Sequence, residues 1–385
     1  MARTETTNAR GREAEGPTDI PAKGWKDILY RTFKEVSNDR VTLVAAGVTF
    51  YLLLALAPTL AALVSLYGLL FDPATLREHA AALSGVLPGG AMDILNEQLD
   101  RLAAAGGGQL GFAFLLSLAL ALWSANSGVK TLFEAMNVAY DEEEERGFVK
   151  LTLVTMVFTI CTLASIIGLI AFNVAFTGFT SATGLNSLPD WIINAITAGI
   201  ALLALITFMA ALYRFGPSRE SPRWRWITPG AIFAGIFIVI VSALFSFYVA
   251  NFGTYNETYG SLGAVVGFLT WLWLTMIVLI MGGELNSEME HQTRRDTTTG
   301  AQQPMGRRGA VKADTLGPTY GQLTSGEAET SDGLHGKRGA AAQAGHRRRE
   351  PSRTRGLKPE NTAIGAAFLV GLLTVALTRG GSRSA

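Results

Sequence analysis

Charge is scarce in this chain. Asp, Glu, Lys and Arg make up 16% of its 385 residues, against about 25% in a typical soluble domain. What charge there is sits in blocks: between Leu151 and Leu212 the only acidic, basic or histidine residue is Asp190. Cysteine is scarcer still. The single Cys161 lies inside an apolar run, which excludes an internal disulfide and leaves a redox or zinc role without support. The four histidines, His79, His291, His335 and His346, show no metal-ligand spacing, and the densest acidic run, 141–145, reads as a solvated face. A nuclease or other hydrolase needs a general acid and base or a metal, and the pattern provides neither, so the expectation is a non-enzyme without cofactor or metal. The absence of a P-loop argues against direct drive by ATP. The first 40 residues are polar and the first apolar run is too long for a cleaved signal segment, so no signal peptide is expected.

What the chain has in quantity is apolar sequence, 49% of the residues. Seven stretches, 41–71, 110–127, 151–176, 191–213, 227–250, 262–281 and 361–378, are long and apolar enough for lipid. A membrane helix needs about 20 mostly apolar residues to cross about 30 Å of hydrocarbon. Of the 32 Lys and Arg, 28 fall in alternate inter-span segments: the N-terminal 40 residues, the loops after spans 2 and 4, and the segment after span 6. Basic residues are retained in the cytoplasm during insertion, so the N-terminus is expected inside.

The organisation expected is a disordered tail at 1–23, a membrane domain at 24–293, a disordered cytoplasmic linker at 294–360 rich in Gly, Arg, Thr, Gln and Ser, and a seventh transmembrane helix at 361–378. In 24–40, Trp25, Ile28, Leu29, Phe33 and Val36 recur at helical spacing among Lys26, Arg31, Lys34 and Arg40. That pattern fits either an amphipathic helix on the inner membrane face or a juxtamembrane segment packed on protein. Outside, the loop 72–108 reads as two short amphipathic helices. Ala363, Ala367 and Gly371 give span 7 a small-residue face for helix contact, on the core or on a second copy of the chain.

Several polar groups inside or beside spans are candidates for function. Pro58 should kink or break span 1, because proline removes a helix hydrogen bond and clashes one turn back. Asn126, Lys130, Glu134 and Asn137 line the inner end of span 2, and Lys130 and Glu134, four apart, can pair. Tyr255 and Tyr259 in the loop after span 5 fit either an aromatic belt or an outer gate. Glu284 and Asn286 end span 6 at the hydrocarbon edge, a depth where ionisable groups are costly. The expectation is that Pro58, Lys130, Glu134 and Glu284 line one cytoplasm-facing polar region, with Glu284 a second partner for Lys130. Gly263 and Gly267 form a small-residue pattern suited to close helix contact.

The pieces Ala45-Ala-Gly-Val-Thr-Phe-Tyr51 with Leu54-Ala-Leu-Ala-Pro58, Trp123-Ser-Ala-Asn126, Ala135-Met-Asn-Val-Ala-Tyr140, Gly216-Pro217, Pro229-Gly-Ala231, Tyr259-Gly-Ser-Leu-Gly-Ala264 and Gly283-Glu-Leu-Asn286 occur in order over about residues 25–292. On these the chain resembles the YihY/BrkB family of bacterial membrane proteins. The resemblance implies an inner-membrane unit of six helices, and transport or the handling of envelope lipids rather than the ribonuclease activity of an older family label. The long linker and span 7 depart from that pattern. The expected fold is therefore all-α: a six-helix transmembrane bundle plus one C-terminal transmembrane helix after a disordered linker. The expected function is a transporter or envelope-lipid translocator, with a membrane scaffold or assembly factor as the alternative. Expected partners are membrane lipids, a substrate that a lipid would fit, and a second copy of the chain, with no nucleic acid.

Overall fold

The computed structural model describes residues 9–68, 100, 112–182, 189–252 and 261–325, and the following statements concern these. Among them all regular structure is helical apart from one isolated bridge between Pro222 and Thr298. Helix α1 (Ala22–Asn38) leads into α2 (Val41–Gly68), followed by α3 (Phe112–Ala139), α4 (Phe148–Ala182), α5 (Asp190–Phe215), α6 (Trp224–Phe252) and α7 (Ser261–Glu290). A four-residue helix α8 (Val311–Asp314) follows, and residues 320–325 are helical again.

Five of these helices, α2, α4, α5, α6 and α7, contain stretches long and apolar enough to cross a membrane. Large apolar side chains such as Leu54 on α2, Val157 on α4, Leu203 on α5, Leu244 on α6 and Val266 on α7 face outward. In water such faces would aggregate; in lipid they are the solvent-matched surface. Helix α2 continues through Pro58, so the expected break does not occur. Flanking turns hold the helix on either side of the missing N–H, as membrane helices tolerate.

Helix α7 is the central post. It packs on α6, α2, α3 and α1, while α2 and α3 form the other long contact. Without a hydrophobic drive inside lipid, helix association depends on close packing and polar side-chain bonds. Both are present. Trp273 Nε1 donates to Thr42 O at 2.9 Å, Trp271 Nε1 to Ser242 Oγ at 3.0 Å, and the Tyr213 hydroxyl to Leu279 O at 2.7 Å. A Cβ at Gly230 would stand 2.2 Å from Gly282 O, so the α6–α7 crossing requires glycine there. By contrast, a Cβ at Gly267 would meet only Phe245 at 3.9 Å. The close approach therefore lies at Gly230 and Gly282 rather than at Gly267.

Burial concentrates at one end of the bundle. The core is built from Val41, Ala45 and Val48 at the start of α2, Phe133, Met136 and Tyr140 at the end of α3, Leu212 and Tyr213 at the end of α5, Ile227 and Ala231 at the start of α6, and Leu279 and Ile280 towards the end of α7. All these positions lie at the helix ends adjoining the basic segments of the sequence. A second, smaller cluster joins Ala14, Ile20 and Ile28 to Trp226, Leu285 and Met289.

Two expectations of disorder are corrected over residues 9–23 and 294–324. Residues from 9 onward and the segment 291–324 belong to the same compact unit as the bundle. Arg12 donates to Gln292 O and Gly317 O, Thr293 Oγ1 to Ala14 O, and Arg294 N to Arg12 O. Arg308, buried in the segment, donates to the carbonyls of Arg294, Arg295, Gln303 and Ala313. Hydrogen bonding to backbone, rather than apolar burial, orders this segment. Span 7, the outer loop 72–108 apart from residue 100, the remaining residues 1–8 and 326–360 of the stretches expected to be disordered, Tyr255 and Tyr259 lie outside the described residues.

Candidate functional site

The capped end of the bundle gathers charges that the sequence scatters. On the last turns of α7, Glu284 and Glu288 share a face, and Glu290 follows; all three are buried. Glu288 is bonded by Arg31 of α1 through its Nε, by Lys312 of α8 at 2.8 Å, and by His291 Nδ1 at 3.3 Å. Lys312 also reaches Asp141 at 2.9 Å. Although burial alone would lower its pKa, Glu288 and Asp141 hold the Lys312 ammonium above the usual lysine range. Glu290 pairs with Arg219 at 2.6 Å and accepts from Thr297 Oγ1 at 2.6 Å, and the Arg219 guanidinium lies 5.1 Å from the centre of the Tyr140 ring. Burial, with Arg31 nearby, lowers Arg12 to about 10.

The acidic run 141–145 is thus more than a solvated face. Asp141 meets Lys312, Glu142 Oε1 accepts from Val311 N at 2.8 Å, and Glu144 is held by Arg146 and by Asn137 Nδ2 at 3.1 Å. Through these contacts α8 ties the α3–α4 loop to the end of α7.

The sequence-predicted residues fall into separate places. Asn126 is buried between α3 and α4, where its Oδ1 accepts from Thr159 Oγ1 at 3.1 Å. Asn137 Oδ1 accepts from Ser218 N at 2.7 Å, fixing the α5–α6 loop. Asn286 clamps α6, accepting from Gly230 N at 2.8 Å and donating to Ile227 O at 3.0 Å. Lys130 donates to Thr152 Oγ1 at 3.0 Å, with the rings of Phe148 at 5.1 Å and Trp123 at 5.5 Å. The expected Lys130–Glu134 ion pair is not formed, because Thr152 and the two rings already hold the ammonium. Glu284 is turned into protein rather than lipid, but its neighbour is Asp39 at the α1–α2 corner, not Lys130. The single polar region expected around Pro58, Lys130, Glu134 and Glu284 is therefore not assembled. Asp39, Arg31, Arg219 and Lys312 were missed; no local spacing marks them.

One exposed polar stripe remains. On α3, Ser124, Ser127, Thr131 and Glu134 recur at intervals of three and four, so they share one face, on which Ser124, Ser127 and Glu134 are exposed and Thr131 is half-buried. Ser127 Oγ donates to Ser124 O and Thr131 Oγ1 to Ser127 O. Hydroxyls satisfied by their own helix can stand in lipid at little cost. Half-buried Lys130 lies beside the stripe.

The bundle, its outward apolar faces and its buried ionic cap define an all-helical membrane protein. The family model of the virulence factor BrkB matches residues 32–306, and the chain belongs to that family. Among its relatives is the Bacillus subtilis (strain 168) protein YfkH, whose name calls it ribonuclease-like. It is 32% identical over 251 residues, covering 63% of this chain and 88% of YfkH. A UPF0761 membrane protein of Neisseria meningitidis serogroup B is 28% identical over 285 residues, covering 71% of this chain and 64% of its own length. A UPF0761 membrane protein of Nitrosospira multiformis is 27% identical over 271 residues, covering 68% and 61%. The chain thus spans under two thirds of those last two relatives. No solved structure matches.

Proposed function

We propose that this protein moves amphiphilic envelope lipids across the bacterial plasma membrane, with its capped end and N-terminus in the cytoplasm. The observation that carries this reading is the α3 stripe of Ser124, Ser127, Thr131 and Glu134. A polar track open to the side, on a helix set among apolar ones, suits a lipid whose headgroup slides along protein while its tails stay in the bilayer. Lys130 supplies a cation beside the track for a phosphodiester, as a point charge. The outward apolar faces of α2 and α4 to α7 support a transmembrane placement. The basic residues of the loops at the capped end support the orientation. On this reading α3 is a further span, making six, and 361–378 a seventh helix beside them.

The test is reconstitution of the purified chain into vesicles carrying a headgroup-labelled fluorescent phospholipid, with a membrane-impermeant reductant outside. Protein-dependent loss of the inner-leaflet signal is expected, slowed by Ser127→Leu with Thr131→Val. Label movement no faster than in empty vesicles overturns the reading. The membrane scaffold would then take its place, because the ties of the segment 291–324 to α1 and α7 and to the α3–α4 and α5–α6 loops suit a rigid platform.

A further inference from the structure

We propose that Asp39 and Glu284 form a proton-binding site, in which one proton shared between the two carboxyls fastens the α1–α2 corner to α7. Glu284 is fully buried, and neither carboxyl oxygen is reached by a hydrogen-bond donor among the described residues. Its strongest electrostatic neighbour is another acid, Asp39 at the α1–α2 corner. Two ionised carboxylates offer four acceptor oxygens and no donor between them. A pairing of that kind is stable only if one group carries a proton and donates it.

The surroundings bear this out by charge. The groups facing the pair are Glu35 from α1, Glu288 from α7, Tyr140 and Asp141 from the end of α3, and Lys312 from α8. Among the described residues the cation facing both acids is Lys312, and its ammonium is already bonded to Glu288 and Asp141. The second cation of the cluster, Arg31, is likewise held by Glu288. Asp39, Asp141, Glu284, Glu288 and Glu35 thus stand against Lys312, Arg31 and, beside Glu288, His291, an acidic surplus that a bound proton reduces. Burial pushes Asp39 up from the usual carboxylate range, with Asp141 and Glu35 adding to it. No group of three His, Cys, Asp or Glu among the described residues is placed to hold a metal ion, so the geometry favours a proton over a divalent cation.

The position gives the proton a consequence. Asp39 and Arg40 are the whole connection between α1 and α2, and Arg40 turns the chain with φ of 51°. Loss of the proton leaves two negative charges side by side at this corner, one on fully buried Glu284 and one on half-buried Asp39, and the corner must part from α7. Attachment of α1 is thereby made dependent on cytoplasmic-side pH, whichever solute the bundle moves.

The experiment is an infrared pH titration of the purified full-length chain in detergent. A carbonyl stretch from a protonated, buried carboxylic acid is expected at neutral pH, lost on alkaline titration, and absent from both Glu284→Gln and Asp39→Asn. Heat unfolding of the same samples gives an independent reading. A carboxyl raised in the folded state binds a proton that the unfolded chain has released, so folded stability falls as pH rises above the ordinary carboxylate range. The wild-type unfolding constant should rise up to tenfold per pH unit there; in Glu284→Gln, whose amide donates to Asp39, that rise should vanish. Equal pH slopes in wild type and Glu284→Gln would overturn the proposal. So would a carbonyl band insensitive to both substitutions, or a change that follows sodium concentration at fixed pH.

Discussion

Arg219 and Glu290 meet at 2.6 Å with neither side chain exposed to solvent. The pair fixes the α5–α6 loop onto the last turn of α7, and Thr297 and the Tyr140 ring enclose it. Two buried charges repay their desolvation only as a pair. Arg219→Met should therefore cost about 3–5 kcal/mol, because Glu290 is left ionised and buried. The double variant Arg219→Met, Glu290→Gln should recover part of that loss. Thermal unfolding of the four proteins of this cycle in one detergent checks it; equal losses in the single and double variants would show that lost contact area, not the orphaned charge, is responsible.

The fold boundary at the C-terminal side gives a second prediction. Truncation after Thr324 keeps every bond between 291–324 and the bundle, and should leave the melting temperature within a degree or two of the full chain. Truncation after Arg295 removes Lys312 from Glu288 and Asp141, and Gly317 from Arg12. It should lower stability by several kcal/mol, since Glu288 loses one of its two full cationic partners in a buried place. Comparing the two truncations by heat unfolding decides where the domain ends.

How far the sequence went is visible in these residues. The apolar runs 41–71 and 151–176 became α2, Val41–Gly68, and α4, Phe148–Ala182, because a membrane helix must be continuous and apolar to satisfy its backbone. Ends were harder: α3 runs on to Ala139 and α4 begins at Phe148, since helices continue past the hydrocarbon edge where polarity carries no penalty. The amphipathic α1 was readable from its spacing. One face of it packs on protein, with Ile28 and Arg31 buried, while Phe33 on another face is 78% exposed. What could not be read is the ionic cap. Arg31 and Glu288 lie 257 positions apart, and Arg12 and Gly317 lie 305 apart. Contacts at such separations leave no period in the sequence. The segment 291–324 carries few apolar residues because its order comes from side chains bonding backbone carbonyls, which composition does not register.

Asp296 supplies a pH test outside the membrane region. It accepts from Thr298 N at 2.9 Å, Thr298 Oγ1 at 2.7 Å and Gln303 N at 2.7 Å. Burial alone would raise its pKa, but these bonds, with Arg308 nearby, hold it below the usual aspartate range. A carboxyl lowered in the folded state contributes stability that is present above its unfolded value, about pH 3.9, and lost as pH falls towards its folded value. Asp296→Asn should therefore cost about 1–2 kcal/mol at neutral pH. The difference from wild type should shrink in acid below about pH 4. Protease susceptibility of the segment 294–303 as a function of pH checks it, and a difference that persists unchanged into strong acid would count against the carboxylate's role.

Gly230 gives the sharpest packing test. Its N–H donates to Asn286 Oδ1 at 2.8 Å, and a Cβ built there would stand 2.2 Å from Gly282 O and 2.4 Å from Asn286 Oδ1. Neither obstacle is the loose end of a flexible chain: one is backbone, and the other is an amide already holding Ile227 O at 3.0 Å. Gly230→Ala must therefore push α6 from α7 and break the Asn286 clamp, at a cost of about 3 kcal/mol or more by overpacking and a lost buried bond. Gly168→Ala, where nothing lies within 4 Å of the added carbon, should instead be neutral or slightly stabilising, by up to about 1 kcal/mol. Asn286→Ala tests the same clamp from the other side and should lose less than Gly230→Ala, because it removes the bonds without forcing the helices apart. If Gly230→Ala melts with wild type, the α6–α7 crossing is wider than described, and the seat of Glu284, midway between Gly282 and Asn286 on α7, is drawn wrongly with it.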